Sequence, residues 1–320
     1  MSSYSAPVHG SIIPNMTVEV EQEAIVTATY SRRMTVQLVQ DNSVDARIKG
    51  KRLRPVCGDR VLVRRIPNEA DWLITEILPR ENELSRPNSR GLPEVLAANV
   101  TFICIVVADP PAPDWYIVDR YLCAAELMNV PAAIVFNKSD IVTNAEHYTN
   151  ELQSFERIGY QTVFCSARTG HNMDKLESML ANHVAIIVGQ SGVGKSSLIN
   201  HLVKDAEQRT AEVSASSGEG RHTTVNSMML PTCANGSLID SPGVRDYAPA
   251  TESASDVLHG FREISAAGQD CKFANCQHLR EPACAVKTAV SGGAISERRY
   301  ESYRRMLNLS RRLAEKRPGN

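Results

Sequence analysis

The run Gly189-Gln190-Ser191-Gly192-Val193-Gly194-Lys195-Ser196 has the spacing of a loop that wraps a polyphosphate. Its glycines let backbone N–H groups turn inward, Lys195 can reach the β and γ phosphates, and Ser196 can place a hydroxyl on Mg²⁺. The flanks suit the motif. An apolar run, Val184 to Val188, precedes it and a helix-like stretch, Ser197 to Leu202, follows, so Ser197 joins the expected phosphate contacts. Gly-x4-Gly-Lys-Ser arises by accident about once in a hundred chains of this length. A nucleoside triphosphate is therefore the expected ligand, and an ordinary glycine turn the weaker reading.

Three further sets of polar residues each follow an apolar run. Ala132 to Phe136 leads into Asn137-Lys138-Ser139-Asp140, Gln161 to Cys165 into Ser166-Ala167, and Ser237-Leu238-Ile239 into Asp240-Ser241-Pro242-Gly243. A carboxylate at Asp140 can accept from both N1–H and the 2-amino group of guanine, and adenine offers no such pair of donors. Lys138 is expected to cover the base plane, Asn137 to tie this loop to the phosphate loop, and the Ala167 N–H to meet guanine O6. Alone, Asn-Lys-Ser-Asp would more often cap a helix. Beside a phosphate loop it favours GTP and GDP. Asp240 suits a water-mediated Mg²⁺ contact, and the Gly243 N–H suits the γ-phosphate. Between these lies a Ser- and Gly-rich stretch, Ser214 to Val225, with Arg221-His222-Thr223-Thr224. It has the composition of a mobile switch, in which one threonine, Thr224 in preference to Thr223, completes the Mg²⁺ shell.

The elements that must position these groups read as an open α/β sheet, in which ligands bind beyond the carboxyl ends of the strands. Thr101 to Ala108 is a buried strand, and Asp114 to Met128, Asn144 to Arg157 and Met173 to Asn182 are helical. Upstream, five short β runs (Ala24 to Tyr30, Met34 to Val39, Val44 to Lys49, Arg60 to Arg64, Trp72 to Leu78) fit a small barrel such as an OB-fold. That region carries Arg47, Lys49, Lys51, Arg52, Arg54, Arg60, Arg64 and Arg65, opposed within their span by Asp59 alone. Such density suggests contact with RNA phosphates, a solvated β surface being the plainer alternative.

Downstream, Cys271-x4-Cys276-x-His278-x5-Cys284 offers three thiolates and one imidazole, a set that satisfies tetrahedral Zn²⁺ with no open position and so predicts a structural site. Helices are expected at Ser255 to Ala267 and Ser296 to Arg317. The second carries Arg298, Arg299, Arg304, Arg305, Arg311, Arg312, Lys316 and Arg317 around Tyr300 and Tyr303, and is read as a second RNA contact. The expected organisation is a flexible tail (1–17), an OB-fold (18–80), a linker (81–95) rich in Pro, Asn and Gly, a GTP-binding α/β domain (96–250) and a helical zinc-binding domain (251–320).

At 320 residues the chain has room for several domains, and a formal net charge of −1 excludes a global polycation, so any nucleic-acid binding must come from local patches. No signal-like leader and no apolar stretch long enough to span a bilayer is present, and a soluble, cytoplasmic protein without membrane contact is expected. Five of the eight cysteines, at 57, 104, 123, 165 and 233, are scattered among apolar neighbours, as in a reduced interior.

The motif order is unusual. A GTPase of the Ras type presents phosphate loop, switch threonine, Asp-x-x-Gly, Asn-Lys-x-Asp and Ser-Ala along the chain, whereas here the two guanine motifs come first. Circular permutation keeps the same site and moves the chain ends. With Gly58-Asp59-Arg60-Val61 in the barrel, this order, Asp240-Ser241-Pro242-Gly243-Val244-Arg245 and the Cys/His cluster, the chain from about Val18 to Arg317 resembles the small ribosomal subunit biogenesis GTPase A (RsgA) family. The resemblance implies a circularly permuted P-loop GTPase between an OB-fold and a helical zinc domain. It also implies zinc at the Cys/His pattern, Mg²⁺ with GTP, and a late role in small-subunit assembly, bound to rRNA and released after hydrolysis. A monomer is expected. Val244 stands where Ras-like enzymes carry a water-positioning glutamine and cannot hydrogen-bond through its side chain. The resemblance gives that role to His222. Two departures stand out: Val225 replaces a third threonine usual after Thr223-Thr224, and the tail lacks the basic residues of many relatives. The other reading is a GTP-dependent RNA-binding module in which turnover is incidental.

Overall fold

The computed structural model describes residues 21–203, 225–240 and 247–317, apart from positions 31, 32, 41, 51 and 252. His222, Thr223, Thr224, Gly243 and Val244, and the 1–17 tail, therefore lie outside the described residues.

Five strands near the N-terminus close a barrel: β1 (Gln22–Tyr30), β2 (Met34–Leu38), β3 (Ser43–Ile48), β4 (Arg60–Arg65) and β5 (Trp72–Ile77). The ladder runs β1-β2-β3-β5-β4 and returns through a β1–β4 pairing. Alternation makes the core: Val36 and Val63 are fully buried, and with Val26, Val61 and Ile74 they fill the interior.

Residues 81–95, expected as a linker, instead carry most of an antiparallel hairpin, β6 (Glu83–Pro87) and β7 (Pro93–Ala98). The same Pro, Asn and Gly that suggested a linker build its turn, where Asn88 Oδ1 accepts the N–H groups of Arg90 and Leu92 at 2.8 and 3.1 Å.

Next comes a parallel sheet in the order β10-β9-β8-β11-β13, with strands β8 (Phe102–Val107), β9 (Ala132–Phe136), β10 (Gln161–Phe164), β11 (Val184–Gly189) and β13 (Ser237–Asp240). Strand β12 (Val225–Pro231) pairs antiparallel with β13 on one side and with β1 on the other, so barrel and sheet form one hydrogen-bonded ladder of eleven strands. Along β8, Ile103, Ile105 and Val107 face one hydrophobic cluster while Phe102, Cys104 and Val106 face another. Helices α1 (Trp115–Met128) and α2 (Ala145–Arg157) cover the first face, and α3 (Met173–Leu180) and α4 (Lys195–Leu202) the second.

The single helix expected over Ser255 to Ala267 is two, α5 (Ala254–His259) and α6 (Arg262–Gly268), followed by α7 (Ala285–Ser291) and α8 (Glu297–Glu315). The break falls at Gly260, which packs so closely on Cys123 of α1 that a Cβ there would collide with the sulfur. Among the described residues no helix is long and apolar enough to cross a membrane.

Candidate nucleotide and metal sites

Strand β11 ends at Gly189 and α4 begins at Lys195, so the phosphate-loop residues sit in the turn between a buried strand and a helix N-terminus. Gly194 is left-handed, with φ 92°, and lies against the Asn137 amide so tightly that a Cβ would overlap it. Lys195 Nζ donates to the Gly189 and Gln190 carbonyls at 2.8 and 2.7 Å. Ser196 and Ser197 lie in the first turn of α4, where backbone N–H groups are free to meet an anion. Asp240 closes β13, in register with Ile187 of β11. Burial pushes the Lys195 pKa down and the Asp240 pKa up, each partly restored by the other's charge. Mg²⁺ with a polyphosphate would supply counter-charge to both.

Asn137 ties the loops together: Nδ2 donates to Val193 O at 3.0 Å, and Oδ1 accepts the Ala167 N–H at 3.1 Å. That amide, expected to face guanine O6, is thus hydrogen-bonded to Asn137. Lys138, at φ 65°, spans from its loop to Pro110 O and Gly192 O at 2.7 and 2.6 Å. The Gln190 side chain accepts the N–H of Asp114, the N-cap of α1, at 2.9 Å. Residues 109–114 therefore border the phosphate loop, a part of the site that sequence reasoning missed; the prolines at 110, 111 and 113 after a buried strand were its only signal.

Asp140 Oδ1 accepts the Ser166 hydroxyl at 2.5 Å, and Oδ2 meets the Arg168 guanidinium through Nε at 2.7 Å and Nη2 at 2.5 Å. The Ser166 bond, with the Arg168 contacts, holds the Asp140 carboxyl below its ordinary pKa. Arg168 was also missed, though it directly follows Ser166-Ala167. The structure brings together, at the carboxyl ends of strands of one sheet, the residues expected from 137–140, 166–167, 189–197 and Asp240.

The ligand atoms of Cys271, Cys276, His278 and Cys284 lie within 4.8 Å of one another, as the spacing predicts, and could hold a metal ion. His278 turns Nδ1 toward the sulfurs of Cys271 and Cys284, 3.5 Å from each, and those two sulfurs are 3.8 Å apart. The loop is tied from two sides. Glu281 accepts the N–H groups of Gln277, Leu279 and Arg280 at 3.0, 2.8 and 2.9 Å; against desolvation, which raises its pKa, its own backbone N–H and these three bonds carry it down to about 2. Tyr300 and Tyr303 donate to the carbonyls of His278 and Gln277 at 2.5 and 3.1 Å. Both tyrosines therefore brace the metal loop.

The basic surfaces differ from expectation. Arg298 and Arg299 of α8 turn inward onto Asp119 of α1 at 2.7 and 2.8 Å, and Arg299 also grips Glu263. What remains outward is a stripe of Arg304, Arg305, Arg311, Arg312 and Lys316. On the barrel, Glu69 and Asp71 pair with Arg47, and Glu23 pairs with Arg60, counter-ions drawn from beyond the basic span. Asp59, inside that span, is fully buried and accepts Arg80 through both oxygens at 2.7 and 2.9 Å.

Residues 77–249 match the family model described as RsgA GTPase. The chain is 37% identical over 292 residues to the small ribosomal subunit biogenesis GTPase RsgA of Mannheimia succiniciproducens, covering 90% of this chain and 83% of that one. The chain belongs to the RsgA GTPase family. The protein of the same name from Haemophilus influenzae is 38% identical over 291 residues, 89% of this chain and 84% of that one. The solved structure of YjeQ from Thermotoga maritima superposes with a TM-score of 0.69 at 28% identity, covering 91% of this chain and 99% of that one. YloQ, described as a circularly permuted GTPase, gives 0.68 at 23% identity, covering 92% of this chain and 96% of that one, a likeness of fold. The permuted order expected from the sequence thus holds for this member of the RsgA GTPase family.

Proposed function

We propose that this chain is a GTP hydrolase acting as a late assembly factor of the small ribosomal subunit, bound to rRNA and released after hydrolysis. The observation that carries it is the Asn137 amide, which joins the Asn-Lys-Ser-Asp loop to both the phosphate loop and Ala167. It makes one nucleotide site of three motifs distant in sequence, in a chain whose relatives bear the name of a small-subunit biogenesis GTPase.

In this reading Asp140 selects guanine, with Ser166 and Ala167 beside it. The backbone from Gly189 to Ser197, with Lys195, holds the phosphates, while Ser196, Thr224 and Asp240 hold Mg²⁺, and Thr223 and Gly243 approach the γ-phosphate. Bound by those residues, Mg²⁺ would supply positive charge beside the phosphates. With Val244 after Gly243, His222 orients the attacking water. The Cys/His cluster holds one structural zinc. Zinc arms of about 2.3 Å to sulfur and about 2.0–2.1 Å to nitrogen, at tetrahedral angles, separate two sulfurs by about 3.8 Å and sulfur from nitrogen by about 3.5 Å. The observed separations are 3.8 and 3.5 Å.

Two surfaces suit rRNA phosphates: the outward stripe of α8, and the barrel rim, where Arg52 and Arg54 line a groove of about 1170 Å³ against the β6–β7 hairpin. We place the protein in the cytoplasm, as a monomer, with an OB-fold (18–80), a GTP-binding domain (96–250) and a helical zinc-binding domain (251–320), the β6–β7 hairpin standing where a linker was expected; separate hydrophobic clusters in the barrel and around α5–α8 support that division.

The test is GTP turnover by the full chain with and without purified small subunits. Slow intrinsic hydrolysis, accelerated by subunits, is expected. Turnover unchanged at saturating subunits would instead mark a GTP-dependent RNA-binding module.

A further inference from the structure

Arg168 covers the carboxylate that reads the base. Its guanidinium meets Asp140 through two nitrogens, Nε at 2.7 Å and Nη2 at 2.5 Å, while the other carboxylate oxygen is anchored by Ser166. The Asp140 side chain is only 11% exposed and that of Arg168 is 73% exposed, so the guanidinium lies on the solvent side, where a base must approach. Chemically the two ligands are alike. Guanine offers Asp140 an N1–H and a 2-amino N–H carried on one carbon; a guanidinium offers two N–H groups carried on one carbon, with a positive charge added.

We infer that Arg168 is an internal occupant of the guanine-reading carboxylate, and that a guanine nucleotide binds by displacing it. The inference rests on the GTP-site reading above and adds a residue that sets affinity and selectivity. Guanine replaces both N–H contacts, and the released arginine returns to water from a position already mostly in water. Adenine has no donor pair to offer, so its entry would strand the carboxylate, and Arg168 holds its place. The arginine end of the pair is exposed, and surface pairs are worth up to about fivefold in an equilibrium constant. The guanine affinity is then lower, by up to that factor, than the bare site would give.

The test is GDP binding by calorimetry with Mg²⁺, on the full chain, for wild type, Arg168→Gln, Asp140→Asn and the double variant, with circular dichroism as the check on folding. Arg168→Gln should bind GDP up to about fivefold tighter at low salt. The wild-type-to-variant ratio should approach one between roughly 50 mM and roughly 0.5 M KCl, because salt screens an exposed pair. In the Asp140→Asn background the Arg168 substitution should add nothing. Equal or weaker GDP binding by folded Arg168→Gln at low salt overturns the inference, weaker binding meaning that the guanidinium packs on the bound base. If Asp140→Asn alone leaves GDP affinity unchanged, the guanine-site reading falls and takes this inference with it.

Discussion

Asp240 ends β13 and Asp140 lies in the turn that follows β9 of the same parallel sheet, yet their surroundings push them in opposite directions. The Ser166 hydroxyl and the Arg168 guanidinium favour the charged form of Asp140, while burial disfavours that of Asp240. A carboxylate that must accept two N–H groups from a base needs to stay ionised, and Asp140 is held so. In the proposed site, a carboxylate that meets Mg²⁺ through water gains most when the cation arrives, and that is the role given to Asp240 there. The Asp140 shift has a consequence for pH. A carboxyl with a depressed pKa in the folded state gives a contribution present above its unfolded value and lost only as pH falls through the lower folded value. At the same scale, His222→Ala should lower kcat on the order of a hundredfold with little change in nucleotide Kd, the signature of a group acting mainly in the transition state. Single-turnover hydrolysis on small subunits checks this, and normal turnover would pass the role to Arg221 or to an RNA group. The motif residues were legible because each set is contiguous in sequence. Arg168 on Asp140 was not, because the pair spans 28 positions and exists only once β9 and β10 lie side by side.

Helix α8 shows how an element can mislead. Its buried positions are Arg299, Ser302, Tyr303, Met306, Leu307 and Ser310, a stripe of helical period. One arginine and two serines interrupt the apolar signal, so from sequence the helix looks like a solvated cation carrier. The carboxylate that accounts for Arg299 lies 180 positions away, on α1. Asp119 is fully buried and takes both arginines and the Ser302 hydroxyl, so Asp119→Ala should strip two partly or wholly buried cations of the carboxylate they share, leaving Arg298 only Glu151 and Arg299 only Glu263. A loss of about 3–5 kcal/mol is expected in denaturant unfolding. The metal loop makes a separate prediction. Wild-type protein should carry about one zinc per chain, and Glu281→Gln should release it faster to a chelator at neutral pH. Three backbone N–H groups lose a charged acceptor in that variant. Since the Glu281 pKa is depressed to about 2, its contribution is in place above the ordinary glutamate range and is lost as pH falls toward that value. The need for a glycine at the helix break was hidden for a similar reason, since the Cys123 that packs on Gly260 comes from α1.

Across the whole molecule, the two outward basic surfaces lie on either side of the nucleotide-binding sheet in sequence, one on the barrel and one on α8. If both meet rRNA, binding to small subunits should weaken steeply with added salt, and GTP should tighten it relative to GDP, since coupling between two sites acts in both directions. Sedimentation with subunits in GDP and in a non-hydrolysable GTP analogue reads this directly; equal binding in the two states would break the coupling. The five-strand barrel was legible from alternation, but its attachment was not. Tyr30 pairs with Val225 and Ala28 with Met228, so beyond its pairing with β4 the far end of β1, still held by β2, completes the edge of β12. The barrel is thus also the cap of an otherwise open edge. Cutting the chain after residue 80 to obtain a lone nucleotide-binding unit would bare the backbone of β12, a template on which further copies could stack strand by strand. What looks by composition like a detachable module is a guard against self-association, and a shorter chain would have to find another.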